Sequence, residues 1–155
     1  MAALDSVFLD TTVLLGGLID FGESSRASQA ILDRVADRKL SNVRTSWHCC
    51  LEFYAVSTRL PPGFRLTPHQ AVHLLSDLLS MVSVAQMRTD AIPRFLEVAV
   101  SERVVGGRIY DAHIAEVARL ADADVIVTEN RRHFSSLLKH GVRVLRPSEL
   151  LDELK

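Results

Sequence analysis

The chain has 155 residues, of which 48% are hydrophobic and 24% are charged, values that are ordinary for a soluble globular protein. This length corresponds to one domain, and we expect residues 1–155 to form a single folding unit. The 18 basic and 19 acidic side chains leave a net charge of −1, so any nucleic-acid partner must bind a local patch and not the protein as a whole.

Cysteine usage and hydropathy indicate the compartment. Cys49 and Cys50 are adjacent in an apolar segment, which is a poor arrangement for a structural disulfide and too few for a thiolate metal site. The Met1–Asp5 segment has no basic region ahead of an apolar stretch, unlike a secretory signal. The apolar runs are shorter than the ~20 residues that span a bilayer. We therefore expect a soluble cytoplasmic protein with reduced cysteines and no membrane association.

Predicted strands and helices alternate from the amino terminus. A short apolar strand, Val7–Leu9, precedes a helix from Thr11 to Leu18. The next predicted helices cover about 24–38, 47–59 and 67–79, and the next strands cover 43–45 and 82–87. The helix at 67 opens on Thr67-Pro68-His69-Gln70, which has the form of a capping box with proline at the first helical position.

The same alternation continues to the carboxyl end. A helix begins at Thr89 or Asp90, with Pro93 in its first turn, where proline is tolerated. A helix over 108–121, a strand over 125–128, a short helix near 134–139, a strand over 142–145 and a last helix after Pro147 follow. Short valine-rich strands between helices predict an α/β fold with three α/β/α layers and a short, mostly parallel central sheet.

Asp10 is the only acid in the apolar and hydroxyl-rich run from Ser6 to Ile19. An ionised carboxylate in such surroundings costs several kcal/mol unless it is paired, hydrogen-bonded or bound to a metal. Asp10 follows the first strand directly, and ligand sites in open α/β sheets form beyond the carboxyl ends of the strands. We therefore predict that Asp10 belongs to a functional site.

Two further acids have unusual positions. Glu52 is the single acid of an apolar helix, although it could also be exposed on that helix's one polar edge or paired with Arg59. Asp111 lies in the first turn of its helix, where the helix dipole alone favours an acid. Three such acids in one domain suggest a shared cation, and carboxylate oxygens suit Mg²⁺ or Mn²⁺. The histidines show no spacing typical of a zinc site.

Four segments carry these acids and the residues around Thr128, namely Phe8–Leu15, Glu52–Val56, Tyr110–Ala115 and Val127–Phe134. Together they resemble the successive motifs of PIN-domain ribonucleases, most closely the VapC-type toxins of toxin–antitoxin pairs. The resemblance covers essentially the whole chain. It implies that Asp10, Glu52 and Asp111 are metal-binding and catalytic carboxylates in Mg²⁺- or Mn²⁺-dependent hydrolysis of RNA phosphodiester bonds. It also implies that Thr12 forms hydrogen bonds near the site, although Thr12 could equally be a helix cap.

The fourth motif departs from the family pattern. The family commonly places a further acid two residues after the threonine, here Thr128, or just before the phenylalanine, and these positions hold Asn130 and His133. Asn130 could still orient a metal-bound water. Three acids are enough to bind one metal ion. Without a fourth acid, the sequence does not support a site with two metal ions.

Basic residues near the predicted acids are candidate RNA contacts. Arg108 precedes Asp111, and Arg131 and Arg132 follow the strand that ends near Thr128. Such side chains would hold phosphates without reading sequence. A solvated basic helix end is the alternative interpretation.

Partners and alternative functions follow from the resemblance. The partners it implies are an RNA substrate, a cognate antitoxin near a groove at Phe53 and Tyr54, and a second copy of the chain. The helix carrying Leu74, Leu75, Leu78 and Leu79 has more apolar surface than one core needs, which predicts a contact with a second copy. A housekeeping RNA-processing nuclease and a non-catalytic binding module remain alternatives. A phosphatase of the haloacid dehalogenase type is disfavoured, because Thr12 stands where its second aspartate is required.

Overall fold

The structure of the protein, a computed structural model, describes residues 4–155. The first three residues of the Met1–Asp5 segment, for which we predict no secretory signal, lie outside the described residues. None of the helices between residues 4 and 155 combines the length and apolar character that a membrane-spanning helix needs.

One five-stranded parallel sheet runs through the described chain. Its strands are β1 (Val7–Leu9), β2 (Val43–Ser46), β3 (Ser83–Ala85), β4 (Val125–Val127) and β5 (Arg143–Leu145). Their order across the sheet is β3-β2-β1-β4-β5, and every neighbouring pair is parallel. The predicted three-layer α/β/α fold with a parallel central sheet is confirmed.

The helices connect these strands and cover the sheet. They are α1 (Thr11–Leu18), α2 (Arg26–Ala36), α3 (Trp47–Ser57), α4 (Pro68–Leu79), α5 (Ile92–Ser101), α6 (Arg108–Leu120) and α7 (Pro147–Glu153). 3₁₀ segments lie at Gly22–Ser25, Thr89–Ala91 and Arg131–His140. The predicted capping box of α4 is present, with Thr67 and Gln70 exchanging hydrogen bonds between side chain and backbone.

The core lies on both faces of the central strands. Every residue of β1 and of β4 is fully buried, as expected for parallel strands that helices cover on both sides. Cys49 and Cys50 are buried, as predicted for core residues, and both are free thiols. Gly17 allows α1 to approach α2 closely, because a Cβ there would lie 2.4 Å from Leu32 Cδ1.

The strand order creates a crevice between β1 and β4. From β1 the chain builds β2 and then β3 on one side, and it later returns to place β4 on the other side of β1. Parallel α/β sheets bind ligands where the strand order reverses in this way, beyond the carboxyl ends of the two strands. Asp10 directly follows β1, and Thr128 directly follows β4.

Two predicted elements differ from those observed. The strand predicted over 82–87 covers only Ser83–Ala85, because its neighbour β2 ends at Ser46 and the chain there turns into α3. The helix predicted near 134–139 is a longer 3₁₀ segment, Arg131–His140. Its buried residues are Phe134 and Leu137, a three-residue spacing that matches the three residues per turn of a 3₁₀ helix.

Two surface predictions are wrong. Leu78 is fully buried, and Leu74 and Leu75 pack against the core, so α4 does not present four leucines to a partner. Phe53 is also fully buried and cannot line a groove, although its neighbour Tyr54 is exposed. In both cases the helix uses its apolar face to cover the domain's own core.

Candidate active site

Asp10 lies at the crevice between β1 and β4. Its backbone N–H donates to the Val127 carbonyl oxygen at 3.1 Å, which ties the end of β1 to β4. One carboxylate oxygen, Oδ2, accepts hydrogen bonds from Thr128 Oγ1 at 2.8 Å and from Thr12 Oγ1 at 3.0 Å. Only 3% of Asp10 is exposed. The buried carboxylate is therefore held by two neutral hydroxyl groups.

The support residues Thr12, Thr128 and Asn130 form a continuous hydrogen-bonded chain around Asp10. The Glu129 backbone N–H donates to Thr12 Oγ1 at 3.0 Å, and the Asn130 backbone N–H donates to Thr128 Oγ1 at 2.9 Å. Asp10, and not Thr12, occupies the position before the first helical residue of α1. The alternative interpretation of Thr12 as a helix cap is therefore wrong.

Glu52 approaches the same pocket from α3. Ser46 caps this helix by accepting a hydrogen bond from the Cys49 backbone N–H at 3.0 Å. Glu52 Oε2 accepts a hydrogen bond from Thr11 Oγ1 at 3.1 Å, and His48 Nε2 lies 3.4 Å from the same oxygen. Within residues 4–155 the basic side chain in contact with Glu52 is thus His48 and not Arg59.

The electrostatics of the pocket favour a cation. Burial raises the pKa of Asp10 above its ordinary value, the hydrogen bonds from Thr128 and Thr12 oppose this rise, and the nearby charge of Glu52 adds to it. A buried carboxylate with a second, partly exposed acid nearby is stabilised by a positive charge that both can share. The donor set, carboxylates with hydroxyls, fits a hard divalent ion such as Mg²⁺ or Mn²⁺.

Asp111 lies at the start of α6 and is bound to a different partner. His133 Nδ1 lies 2.9 Å from Asp111 Oδ2, and both side chains are partly exposed. Tyr110, the preceding residue, stacks on His48, with the ring centroids 5.5 Å apart, so the amino-terminal end of α6 adjoins α3. Among residues 4–155, no three acidic, histidine or cysteine side chains converge closely enough to hold a metal. Asp111 contacts neither Asp10 nor Glu52 directly in the described hydrogen bonds and ion pairs.

The candidate RNA contacts divide into two groups. Arg108 and Arg132 line a cavity together with Asp111. Arg131 points elsewhere and forms an ion pair with Glu149 of α7, with Nη1 2.8 Å from Oε1. Arg108 and Arg132 therefore lie beside Asp111, whereas Arg131 helps to hold the carboxyl-terminal helix.

Sequence reasoning missed two histidines and a threonine that contact the predicted acids. The spacing of His48 and Glu52, four residues apart on one helix, is a signal that could have identified the first pair. His133 stands where the family places its further acid, but nothing local predicts that it contacts Asp111. Thr11 Oγ1 reaches Glu52 across 41 positions of the chain, a contact that only the packing of α1 against α3 creates.

The raised pKa of Asp10 predicts a stability effect that does not depend on catalysis. A folded-state pKa above the unfolded one means that the ionised carboxylate destabilises the fold at neutral pH and that stability increases as the pH falls through the folded pKa. In EDTA at pH 7, Asp10→Asn should therefore raise the free energy of unfolding, and its advantage should shrink as the pH is lowered.

Urea denaturation across pH measures this effect. Asp77→Asn is the control, because Asp77 is an exposed acid on α4 and its replacement should change stability little. A less stable Asp10→Asn variant at pH 7 would contradict the electrostatic argument.

The fold and the site define an α/β protein of the PIN type, with an acidic pocket at the switch point of its sheet. A family model described as "PIN domain" matches residues 6–132. Ribonuclease VapC40 of Mycobacterium tuberculosis is 32% identical over 124 residues, which cover 79% of this chain and 85% of that protein. Ribonuclease VapC27 of the same organism is 33% identical over 99 residues, covering 63% of this chain and 69% of that protein. The chain belongs to the PIN-domain family and, within it, to the VapC-type ribonucleases.

Solved structures share the same fold. The crystal structure of Mycobacterium tuberculosis VapC20, described as a sarcin-ricin loop cleaving toxin, has a TM-score of 0.63 and 20% identity, and the match covers 84% of this chain and 94% of that one. DNA-bound VapBC from Salmonella typhimurium has a TM-score of 0.61 and 21% identity, with coverage of 92% and 98%. At these identities the likeness establishes the fold.

Proposed function

We propose that the protein is a Mg²⁺- or Mn²⁺-dependent ribonuclease and the toxin of a toxin–antitoxin pair. The observation that carries this proposal is the buried Asp10 carboxylate at the sheet's switch point, held by Thr12 and Thr128 and facing a second acid, Glu52. Membership of the VapC-type ribonucleases supports RNA as the substrate.

Asp10, Glu52 and Asp111 are the proposed metal ligands and catalytic residues. When bound, a divalent ion supplies a hydroxide from bound water and stabilises the charge that develops on the phosphate. Thr12 and Thr128 fix the orientation of Asp10, as hydrogen-bonded neighbours of ligating carboxylates commonly do. Asp111 contacts His133. Asp111 would therefore bind the ion only if this contact breaks or if both side chains face the ion. Arg108 and Arg132 would hold the RNA backbone beside the acids.

Metal removal tests the proposal. The purified protein should cleave RNA with Mg²⁺ or Mn²⁺ and lose this activity in EDTA, because uncompensated carboxylates repel an anionic phosphodiester. The measurement is gel analysis of a labelled RNA before and after chelation, with metal added back as the control. Cleavage that continues in EDTA would contradict the metal mechanism, and metal binding without cleavage would favour a non-catalytic binding module.

An antitoxin protein is the second proposed partner. A cationic or amphipathic segment across the pocket would neutralise Asp10 and Glu52, whose charges are costly when unpaired. Exposed Tyr54 on α3, next to the core residue Phe53, offers an apolar contact for such a segment. The proposed location is the cytoplasm, which suits an RNA substrate and the unbridged cysteines Cys49 and Cys50.

A homodimer is also proposed, through a different face from the one that the sequence predicts. A groove of about 390 Å³ lies between α3 and α5, and its rim includes the exposed residues Trp47, Leu51, Ile92 and Leu96. An exposed apolar patch of this kind favours a symmetric contact with a second copy.

Light scattering at micromolar concentration should report a dimer that Leu96→Asp converts to a monomer, because a buried charge would be unpaired at the interface. The matched control is Val72→Asp, which alters an exposed apolar residue of α4 and should leave the dimer intact. A monomeric wild type would contradict the dimer proposal. If Val72→Asp alone produced a monomer, the dimer interface would lie on α4 instead.

A further inference from the structure

A small cavity beside Asp111 carries an excess of positive charge. It has a volume of about 160 Å³ and lies between the segment after α5, the first turn of α6 and the 3₁₀ segment Arg131–His140. Three arginines line it, namely Arg103, Arg108 and Arg132. Arg103 lies in none of the four sequence motifs, so only the structure identifies it as a lining residue.

Both acids that line this cavity have a basic side chain within contact distance, and the contact with His133 is an ion pair only when that histidine is protonated. Glu102 Oε1 lies 3.0 Å from Lys139 Nζ, and Asp111 Oδ2 lies 2.9 Å from His133 Nδ1. By contrast, none of the three arginines forms an ion pair with any acid among residues 4–155. The three guanidinium groups outnumber the two carboxylates of the lining, Glu102 and Asp111, and an anion is the ligand that would balance the excess.

The side chains that line the cavity favour phosphate as the bound anion. Guanidinium groups bind phosphate oxygens through two parallel N–H donors, and they do so better than a point charge of the same sign. Ser135 and Ser136 also line the cavity and add hydroxyl groups. Because Asp111 faces this cavity and is one of the proposed metal ligands, a phosphate held here would neighbour the reacting phosphodiester.

We propose that Arg103, Arg108 and Arg132 form a subsite for one backbone phosphate of the RNA, adjacent to the phosphate that is hydrolysed. This inference rests on the proposed ribonuclease function and names the part of the substrate that the cavity holds. Arg103 contributes a phosphate contact, so its removal weakens RNA binding without touching the acids.

The backbone of Arg103 permits a clean variant. Its φ is +53°, a left-handed conformation that glycine adopts without strain, so Arg103→Gly removes the side chain and keeps the local fold. Arg38 provides a matched control, because it is an exposed arginine at the end of α2 with φ +58°. Arg38→Gly is therefore the same substitution in the same backbone conformation, outside the cavity. Thermal unfolding of both variants checks that each remains folded.

Binding is measured in EDTA, by the fluorescence anisotropy of a labelled single-stranded RNA oligonucleotide over a range of salt concentrations. Loss of one phosphate contact should lower the slope of log affinity against log salt by about 0.7 for a single strand. Arg103→Gly should also weaken binding about tenfold at low salt, as expected for one charge-assisted contact, and Arg38→Gly should match the wild type. Equal behaviour of the two variants, or no RNA binding by the wild type, would overturn the subsite.

Oligonucleotides that each carry one neutral methylphosphonate locate the phosphate. One position should weaken binding by the wild type more than it weakens binding by Arg103→Gly, since the two changes remove part of the same contact and Arg108 and Arg132 remain. Additive losses at every position would overturn the proposal. The outcome is independent of catalysis: Arg103-dependent binding without cleavage in Mn²⁺ would support the subsite and contradict the nuclease proposal, whereas cleavage with Arg103→Gly indistinguishable from Arg38→Gly would overturn the subsite alone.

Discussion

Asp10→Asn, Glu52→Gln and Asp111→Asn should each reduce RNA cleavage by at least about 100-fold. A metal ion contributes several kcal/mol to stabilising the charge of the transition state, and each 1.36 kcal/mol corresponds to a factor of ten in rate. A neutral amide cannot hold the ion as a carboxylate does. Asp10→Asn should show the largest loss, because Asp10 is the buried acid that two threonine hydroxyls hold in place.

Initial rates of RNA cleavage in Mn²⁺ measure these losses, and circular dichroism checks the fold of each variant. Asp77→Asn again provides the control, because Asp77 is an exposed acid on α4 that is not one of the three predicted acids. Asp111 makes the test discriminating, because it contacts His133 and not Asp10 or Glu52. A loss confined to Asp10 and Glu52 would mean that Asp111 serves only to hold His133, and the three acids would not form one shared site.

Expression of the protein alone in a bacterial host should arrest growth, because an unregulated ribonuclease depletes RNA that the cell needs. Asp10→Asn should remove the arrest while the protein accumulates to the same level. Colony counts after induction, together with gel analysis of total RNA, provide the measurement. Co-expression of a cognate antitoxin should restore growth, because a segment that covers the pocket neutralises Asp10 and Glu52 and blocks access to the phosphodiester.

The growth experiment separates the toxin from its alternatives. Arrest by wild type and Asp10→Asn alike would indicate toxicity unrelated to the acid pocket. Normal growth in the presence of folded, metal-binding protein with ribonuclease activity in vitro would favour a housekeeping RNA-processing role. Normal growth with no activity in vitro would favour a non-catalytic binding module, the alternative that the replacement of the fourth acid by Asn130 and His133 supports.

Local patterns in the sequence determined much of the fold. The apolar strand Val7–Leu9 followed by Asp10 and a helix, the capping box at Thr67 and the valine-rich strand near 125–127 each depend on residues that are close along the chain. Their alternation with helices specified a parallel sheet, because parallel strands require crossover connections. The apolar run around Asp10 also predicted that its carboxylate has an unusual environment, since the cost of a buried charge follows from its neighbours in sequence, and Asp10 is indeed buried.

Only the tertiary structure decided which groups meet at that site. Thr128 contacts Asp10 from 118 positions away, and this contact exists because the strand order places β4 directly beside β1. His133 meets Asp111, and Arg103 joins Arg108 and Arg132, because the end of α5, the start of α6 and the Arg131–His140 segment pack together. Likewise Leu78 and Phe53 are buried, although the sequence predicted that both residues contact a partner protein. Sequence periodicity defines an apolar face, but the packing of neighbouring elements determines what covers it.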